Sequence, residues 1–197
     1  MAVTVPLAWA MGLVFTKGAI SDFPPILLMA FRFLLTALIL VAFTPLPRGN
    51  FFNLFLIAIV GAAIQYSLTF TGLLGLEAGI AAIIVQLEVP FLVMLGALLL
   101  GEKPGLRKWF GIGIAFCGII LMTWQGKFGA SLPSVGLVIG GAMAWAFGQV
   151  MVRRLKDISG LQVTAWVAVF ATPQLFLMSA IFETGQIGAI TRAGFEV

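Results

Sequence analysis

The sequence has no histidine, a single cysteine, and only 9% charged residues among 197. Without histidine the chain lacks the commonest general base and the commonest metal ligand. Cys117 lies inside an apolar run, so neither a disulfide framework nor a zinc site can be assembled. A phosphate-binding loop is missing too. Gly126-Lys127 is followed by Phe128 and lacks the upstream glycine at the required spacing, so ATP-driven pumping by this chain is not expected. No paired acidic ligands face one another across the apolar segments. An enzyme, a metal centre and a bound cofactor are therefore not expected. The charge is also too sparse for a water-facing surface, since soluble domains carry about 25% charged residues. A net charge of +4 might suggest nucleic acid, but the basic residues are scattered between apolar segments and form no single basic face.

What the chain has instead is apolar surface: 61% hydrophobic residues, 18 Phe, 8 Met and a mean hydropathy of +1.15. Seven apolar stretches are marked at 3–20, 24–43, 51–73, 78–100, 107–124, 134–153 and 161–183. Each is long enough, or nearly so, to cross a hydrocarbon core of about 30 Å. The first lacks a basic leader region and carries Lys17 near its far end, so it reads as a helix and not as a cleaved signal. Turn and helix-end compositions separate the stretches, among them 45–50 and Gly101-Glu102-Lys103-Pro104. Such short links make neighbouring helices antiparallel. The fold class is an all-α integral membrane bundle.

Orientation follows from the distribution of Lys and Arg. With the N-terminus inside, the cytoplasmic connections hold seven basic residues: Arg48, Lys103, Arg107, Lys108, Arg153, Arg154 and Lys156. The opposite side holds three, Lys17, Lys127 and Arg192, and Arg32 falls within a span. The basic balance therefore reports topology, with a cytoplasmic N-terminus in a bacterial-type inner membrane.

An internal echo appears at an offset of 136 residues. Ala8-Trp9-Ala10, Gly12 and Val14 recur as Ala144-Trp145-Ala146, Gly148 and Val150, with Lys17 and Arg153 closing the two copies. An odd number of spans separates the copies, so the second enters the membrane from the opposite side. Opposed repeats are the architecture of many secondary transporters, with the solute site near the midplane where the repeats meet. The reading divides the chain into a first repeat, 1–125, with five helices, and an incomplete second repeat, 134–197, with two.

The order and spacing of several segments resemble the EamA family of the drug/metabolite transporter superfamily. They are Trp9 to Gly18, Pro24-Pro25 through Phe33, Ala78-Gly79-Ile80-Ala81-Ala82 with Gln86, Leu95-Gly96-Ala97 to Gly101-Glu102, Gly111 to Gly118, and Ala144 to Gly148. Within that family the likeness is to exporters of O-acetylserine and cysteine. The resemblance implies ten helices in two inverted five-helix repeats, of which about seven are present. It also implies efflux of a small metabolite, driven by protons or another gradient. The partners expected are a small solute and the lipid bilayer, with protons and a homodimer left open. The alternative is a non-transporting membrane subunit or an inactive fragment.

Ionisable groups within spans are the natural pathway candidates, because each costs about 2.5–3.5 kcal/mol at a helix centre. Arg32 and Glu88 lie roughly 12 and 15 Å from the same outer face at 1.5 Å per residue, so they are expected to face one polar cavity near the midplane. Pro90 has no N–H to donate to the carbonyl of Gln86, so a kink is expected beside Glu88, with that carbonyl freed. The Gln86 amide is a further candidate. Trp9, Phe15, Trp145 and Gln149 would flank the cavity if the echo is a true repeat, and Gln65 and Tyr66 are weaker candidates of the same kind. Gly140, Ala144 and Gly148, and likewise Gly111 and Ala115, recur at four-residue spacing and suit close helix crossings.

Overall fold

The computed structural model describes residues 23–124 and 131–195. Within them lie seven helical elements: α1 Pro25–Val41, α2 Phe51–Leu74, α3 Ala78–Leu100, α4 Leu106–Trp124, α5 Leu132–Arg153, α6 Gly160–Phe182 and α7 Gln186–Phe195. The apolar stretch 3–20, with Trp9, Phe15 and the first copy of the echo, lies outside the described residues. Among those described, α2, α3, α5 and α6 are long and apolar enough to cross a membrane, and α1 is a shorter apolar helix of 17 residues. The chain is a polytopic helical membrane protein.

Helix ends follow the local sequence. Pro25 opens α1, where a missing N–H leaves nothing unsatisfied. Gly101 closes α3 at φ 69°, a left-handed position that suits a residue without Cβ, and the Glu102 N–H reaches back to the Gly96 carbonyl at 3.2 Å. Ser159 caps α6 by accepting from the Gln162 N–H at 3.2 Å. Two spans are irregular inside. Residues Ile59–Ile64 of α2 form a π-helical segment. The helix α3 is interrupted at Gln86-Leu87, between Ala78–Val85 and Glu88–Leu100.

The packing has a clear order. In α5, successive turns meet α2 in the reverse direction: Ser134 and Val138 approach Gly72, Gly141 approaches Thr69, and Gly148 approaches Gly61. The two helices are therefore antiparallel, and α5 also packs on both halves of α3. The helix α6 runs parallel to α2, with Phe51 against Trp166, Phe55 against Phe170 and Ser67 against Met178. It runs antiparallel to α1 and is tied to it at both ends. At one end the Glu183 carboxylate accepts from the Ile26 and Leu27 N–H groups at 2.7 and 3.0 Å. At the other the Pro45 carbonyl accepts from Gln162 Nε2 and Trp166 Nε1, both at 3.0 Å. The helix α4 packs mainly on α3, where Phe91 meets Phe116 edge-on at 5.5 Å.

The basic residues Arg48, Lys103, Arg153, Arg154 and Lys156 collect at the end of the bundle that holds Pro45 and the start of α6. There Arg153 pairs with Glu102 at 3.0 Å and Arg154 donates to the Leu99 carbonyl at 2.6 Å. The opposite end carries Phe23, Leu74, Ser131 and Glu183.

Two expectations are corrected. Gly111 has open space where a Cβ would stand, on an exposed face of α4, so no close crossing is made there among the described residues; Ala115, one turn on, does pack against the core. On α5 the closest approaches fall at Gly141 and Gly148, seven residues apart. Gly140 makes only ordinary contact with Leu68, and Ala144 is half-buried. The segment after 183 is helical again. It turns at Gly185 and forms α7, with Gln186 Nε2 donating to the carbonyls of Ser179 and Glu183, both at 2.8 Å.

The Glu183 contact is long-range and carries an anion on the positive end of a helix. It also accepts from Ser179 Oγ at 2.7 Å. Glu183→Ala leaves two first-turn amides of α1 without acceptors, which at about 1.5–3 kcal/mol is a large local loss. We expect hydrogen exchange at Ile26 and Leu27 to accelerate at least about tenfold, while amides in the middle of α5 keep their rates. Unchanged exchange at those two amides would show that the carboxylate does not hold the helix start.

Candidate functional site

A cavity of about 300 Å³ lies between α1, α2, α5 and α6. It is built by four helices whose small residues allow the approach: Gly61 and Gly148 meet backbone to backbone, and Ala62 and Ala168 leave space beside them. Into that space come Arg32 from α1, Tyr66 from α2, and Trp145 and Gln149 from α5. The cavity extends from Tyr66 toward Val152 and Thr164, next to the basic end of the bundle. Tyr66 is held by neighbouring rings. Phe33 meets it edge-on at 5.0 Å, and Phe70 stacks on it at 5.7 Å.

Among the described residues Arg32 carries the only formal charge on the lining. The one ion pair is Arg153–Glu102 and Arg32 has no carboxylate partner, both among the described residues. Its guanidinium can meet a carboxylate with two parallel hydrogen bonds, while Tyr66, Trp145 and Gln149 supply polar edges and an aromatic wall. A small solute with an anionic group and a short apolar or polar body fits that chemistry.

Sequence-predicted residues fall into three groups. Arg32, Tyr66, Trp145 and Gln149 are brought together. Gln65 is buried beside them but faces α5; its Nε2 donates to Thr69 Oγ1 at 3.5 Å and its Oε1 is buried without a partner. Glu88 is half-buried in α3, off the cavity lining. Gln86 is exposed and takes no part. Its carbonyl is not freed by Pro90 either. The Val89 N–H donates to it at 3.2 Å, because the chain tightens into a three-residue turn at the break. Pro90 itself is buried in α3.

Sequence reading missed two features. A second cavity of about 650 Å³ opens at the other end of the bundle, between Ser67, Leu74, Met178 and Glu183. Gln174, within α6, has both amide atoms buried and unpartnered. Its signal was available: a polar residue beside Pro173 inside an apolar span, the same pattern that marks Glu88 beside Pro90.

Residues 1–124 match the EamA-like transporter family. The chain belongs to that family. Similarity to curated proteins extends into the second part of the chain. It is 24% identical over 190 residues to a probable amino-acid metabolite efflux pump of Escherichia coli K12, covering 93% of this chain and 64% of the relative. It is 26% identical over 182 residues to the uncharacterized inner membrane transporter YedA of the same strain, covering 89% of this chain and 59% of the relative. A third relative, the uncharacterized transporter YvbV of Bacillus subtilis, is 28% identical over 222 residues, covering 95% of this chain and 72% of the relative. The chain thus spans less than two thirds of the length of the first two. No solved structure matches.

Proposed function

We propose that this EamA chain carries a small amino-acid-like metabolite out of the cell, with the Arg32 cavity as its entry site on the cytoplasmic side. The observation that carries the reading is the Arg32 guanidinium, without a carboxylate partner among the described residues, on one cavity lining with Tyr66, Trp145 and Gln149. A charge so placed is expensive to insert and belongs to a pathway by default. A volume of about 300 Å³ sits at the small end of ligand pockets, which favours a solute of amino-acid size. The name of the Escherichia coli efflux pump points the same way. The basic end of the bundle lies beside this cavity, and under the positive-inside rule that end is cytoplasmic.

Two further observations support an inverted repeat with its halves at 1–125 and 134–197. At the offset of 136, residues 25–41 correspond to 161–177, so α1 and α6 are equivalent helices. These two pack antiparallel, as inversion requires. A cavity at each end of the bundle fits alternating access, in which one opens as the other closes. Protons as the coupling ion and a second copy of the chain as partner belong to the same reading.

The test is efflux from cells preloaded with radiolabelled amino acids. Cells expressing the chain should lose labelled L-cysteine or a close analogue at least about tenfold faster than vector controls, and should resist toxic amino-acid analogues. Protection against lipophilic cations alone would sink the amino-acid assignment. No flux of any solute from correctly inserted protein would favour a non-transporting subunit.

A further inference from the structure

The two cavities come close to meeting inside the bundle. On α2 the adjacent residues Tyr66 and Ser67 belong to opposite cavities, and on α6 Val167 lines one while Met178 lines the other. Gln174 lies seven residues after Val167 and four before Met178, so all three share one face of α6. It stands about 10 Å from the level of one and about 6 Å from the level of the other. Gln174 is on the lining of neither cavity, and its height between Val167 and Met178 puts it in the stretch of α6 that separates them.

The amide of Gln174 is buried, and neither its nitrogen nor its oxygen has a hydrogen-bond partner among the described residues. Other glutamines of α6 and α7 behave differently. Gln162 finds the Pro45 carbonyl and Gln186 finds those of Ser179 and Glu183. Gln65 of α2 is half-satisfied, with its Nε2 bonded to Thr69 and its Oε1 without a partner among the described residues, so Gln174 is the glutamine whose whole amide is left over. An unsatisfied amide in a helix interior is unfavourable, and a leucine of similar size would pack there without loss. The backbone around it is irregular as well. Pro173 has no N–H for the Val169 carbonyl, and the π-helical segment Ile59–Ile64 of α2 packs on α6 near the same level. Within a membrane such backbone is tolerated where it is buried in protein or lines a water-filled path.

We propose that Gln174 is a solute-binding residue at the junction of the two cavities, where its amide donates to and accepts from a polar group passing between them. The inference rests on the transport reading of the Arg32 cavity and adds its second contact. A solute whose carboxylate leaves Arg32 next meets a neutral partner that both donates and accepts. Such a contact holds a zwitterion or an uncharged polar solute without trapping it.

The test uses the full chain in nanodiscs, with L-cysteine as probe and the thermal midpoint as readout. A ligand that binds the folded state raises the midpoint with concentration. Gln174→Leu should raise the midpoint by about 2–4 °C without solute, because two orphaned groups are removed. It should also need about tenfold more L-cysteine to reach the stabilisation seen in the native chain. Gln174→Asn, which keeps the amide on a shorter arm, should fall between. If Gln174→Leu does not fold, Gln174→Met carries the same comparison. Equal response to L-cysteine in native and Gln174→Leu protein overturns the assignment and leaves the transport reading standing. A lowered midpoint without solute overturns it as well, by revealing a structural partner for the amide. A native chain that responds to no amino acid overturns the transport reading, and the role of Gln174 with it.

Discussion

Arg32→Gln should reduce amino-acid efflux by about ten- to a hundredfold, while the chain still inserts and folds. The size follows from the bond that is lost. A hydrogen-bonded contact to a charged group contributes about 1.5–3 kcal/mol, and every 1.4 kcal/mol is a factor of ten. The direction of the stability change is opposite. Arg32 makes no ion pair among the described residues, so removing its charge deletes an insertion penalty and breaks no bridge. Loss of flux with preserved or improved stability is thus the expected signature of a binding residue. Arg32→Lys should retain part of the activity, because an ammonium keeps the charge but not the two-pronged geometry. If Arg32→Gln transports normally, the cavity is not the site.

The relation of Arg32 to Glu88 is tested by the same assay. The two are not paired among the described residues, and Glu88 lies off the cavity that Arg32 lines. In the set Arg32→Gln, Glu88→Gln and the double change, losses that fall short of additive would mean that one solute or one charge balance involves both. Strictly additive losses would place Glu88 in a separate role within α3.

Much of this fold is legible in one dimension. Hydropathy alone locates α1 to α6 within a few residues, because a span in lipid must be apolar along its length and closed at its ends by turn residues. Pro90 marks the break in α3 within a few residues. Arg32, Tyr66, Trp145 and Gln149 stand out in the sequence because polar and aromatic groups are scarce inside spans, and the fold brings these four to one cavity lining. Rotation about the helix axis is what hydropathy cannot give, since lipid and core are equally apolar. Arg32 and Glu88 are therefore expected from depth alone to face one cavity, although Glu88 lies off the lining that holds Arg32. The Gly140–Gly148 spacing likewise suggested a crossing that is centred instead on Gly141 and Gly148. The Glu183 clasp joins residues 157 apart in the chain, and nothing local announces it.

The largest effect on stability is expected at Gly148. A Cβ built there would stand 2.6 Å from the Gly61 Cα, and one built on Gly61 would stand 3.1 Å from the Gly148 Cα. Both obstacles are backbone, so no side-chain rotation relieves them, and α2 and α5 must separate. Helix packing in membranes relies on such close approach, because lipid offers no hydrophobic force to hold the helices together. Gly148→Val should destabilise the chain by about 3 kcal/mol or more, at or above the upper end of ordinary overpacking. The same separation would widen the cavity that Gly148 and Gly61 help to line, so binding should fail with stability. Gly111→Ala is the matched control. Its Cβ meets open space, and alanine is the better helix former by about 1 kcal/mol, so the midpoint should hold or rise. Thermal midpoints of both variants in nanodiscs decide the matter. Equal tolerance at the two positions would mean that α2 and α5 do not cross at Gly61 and Gly148, and the arrangement of Tyr66 opposite Trp145 and Gln149 would fall with it.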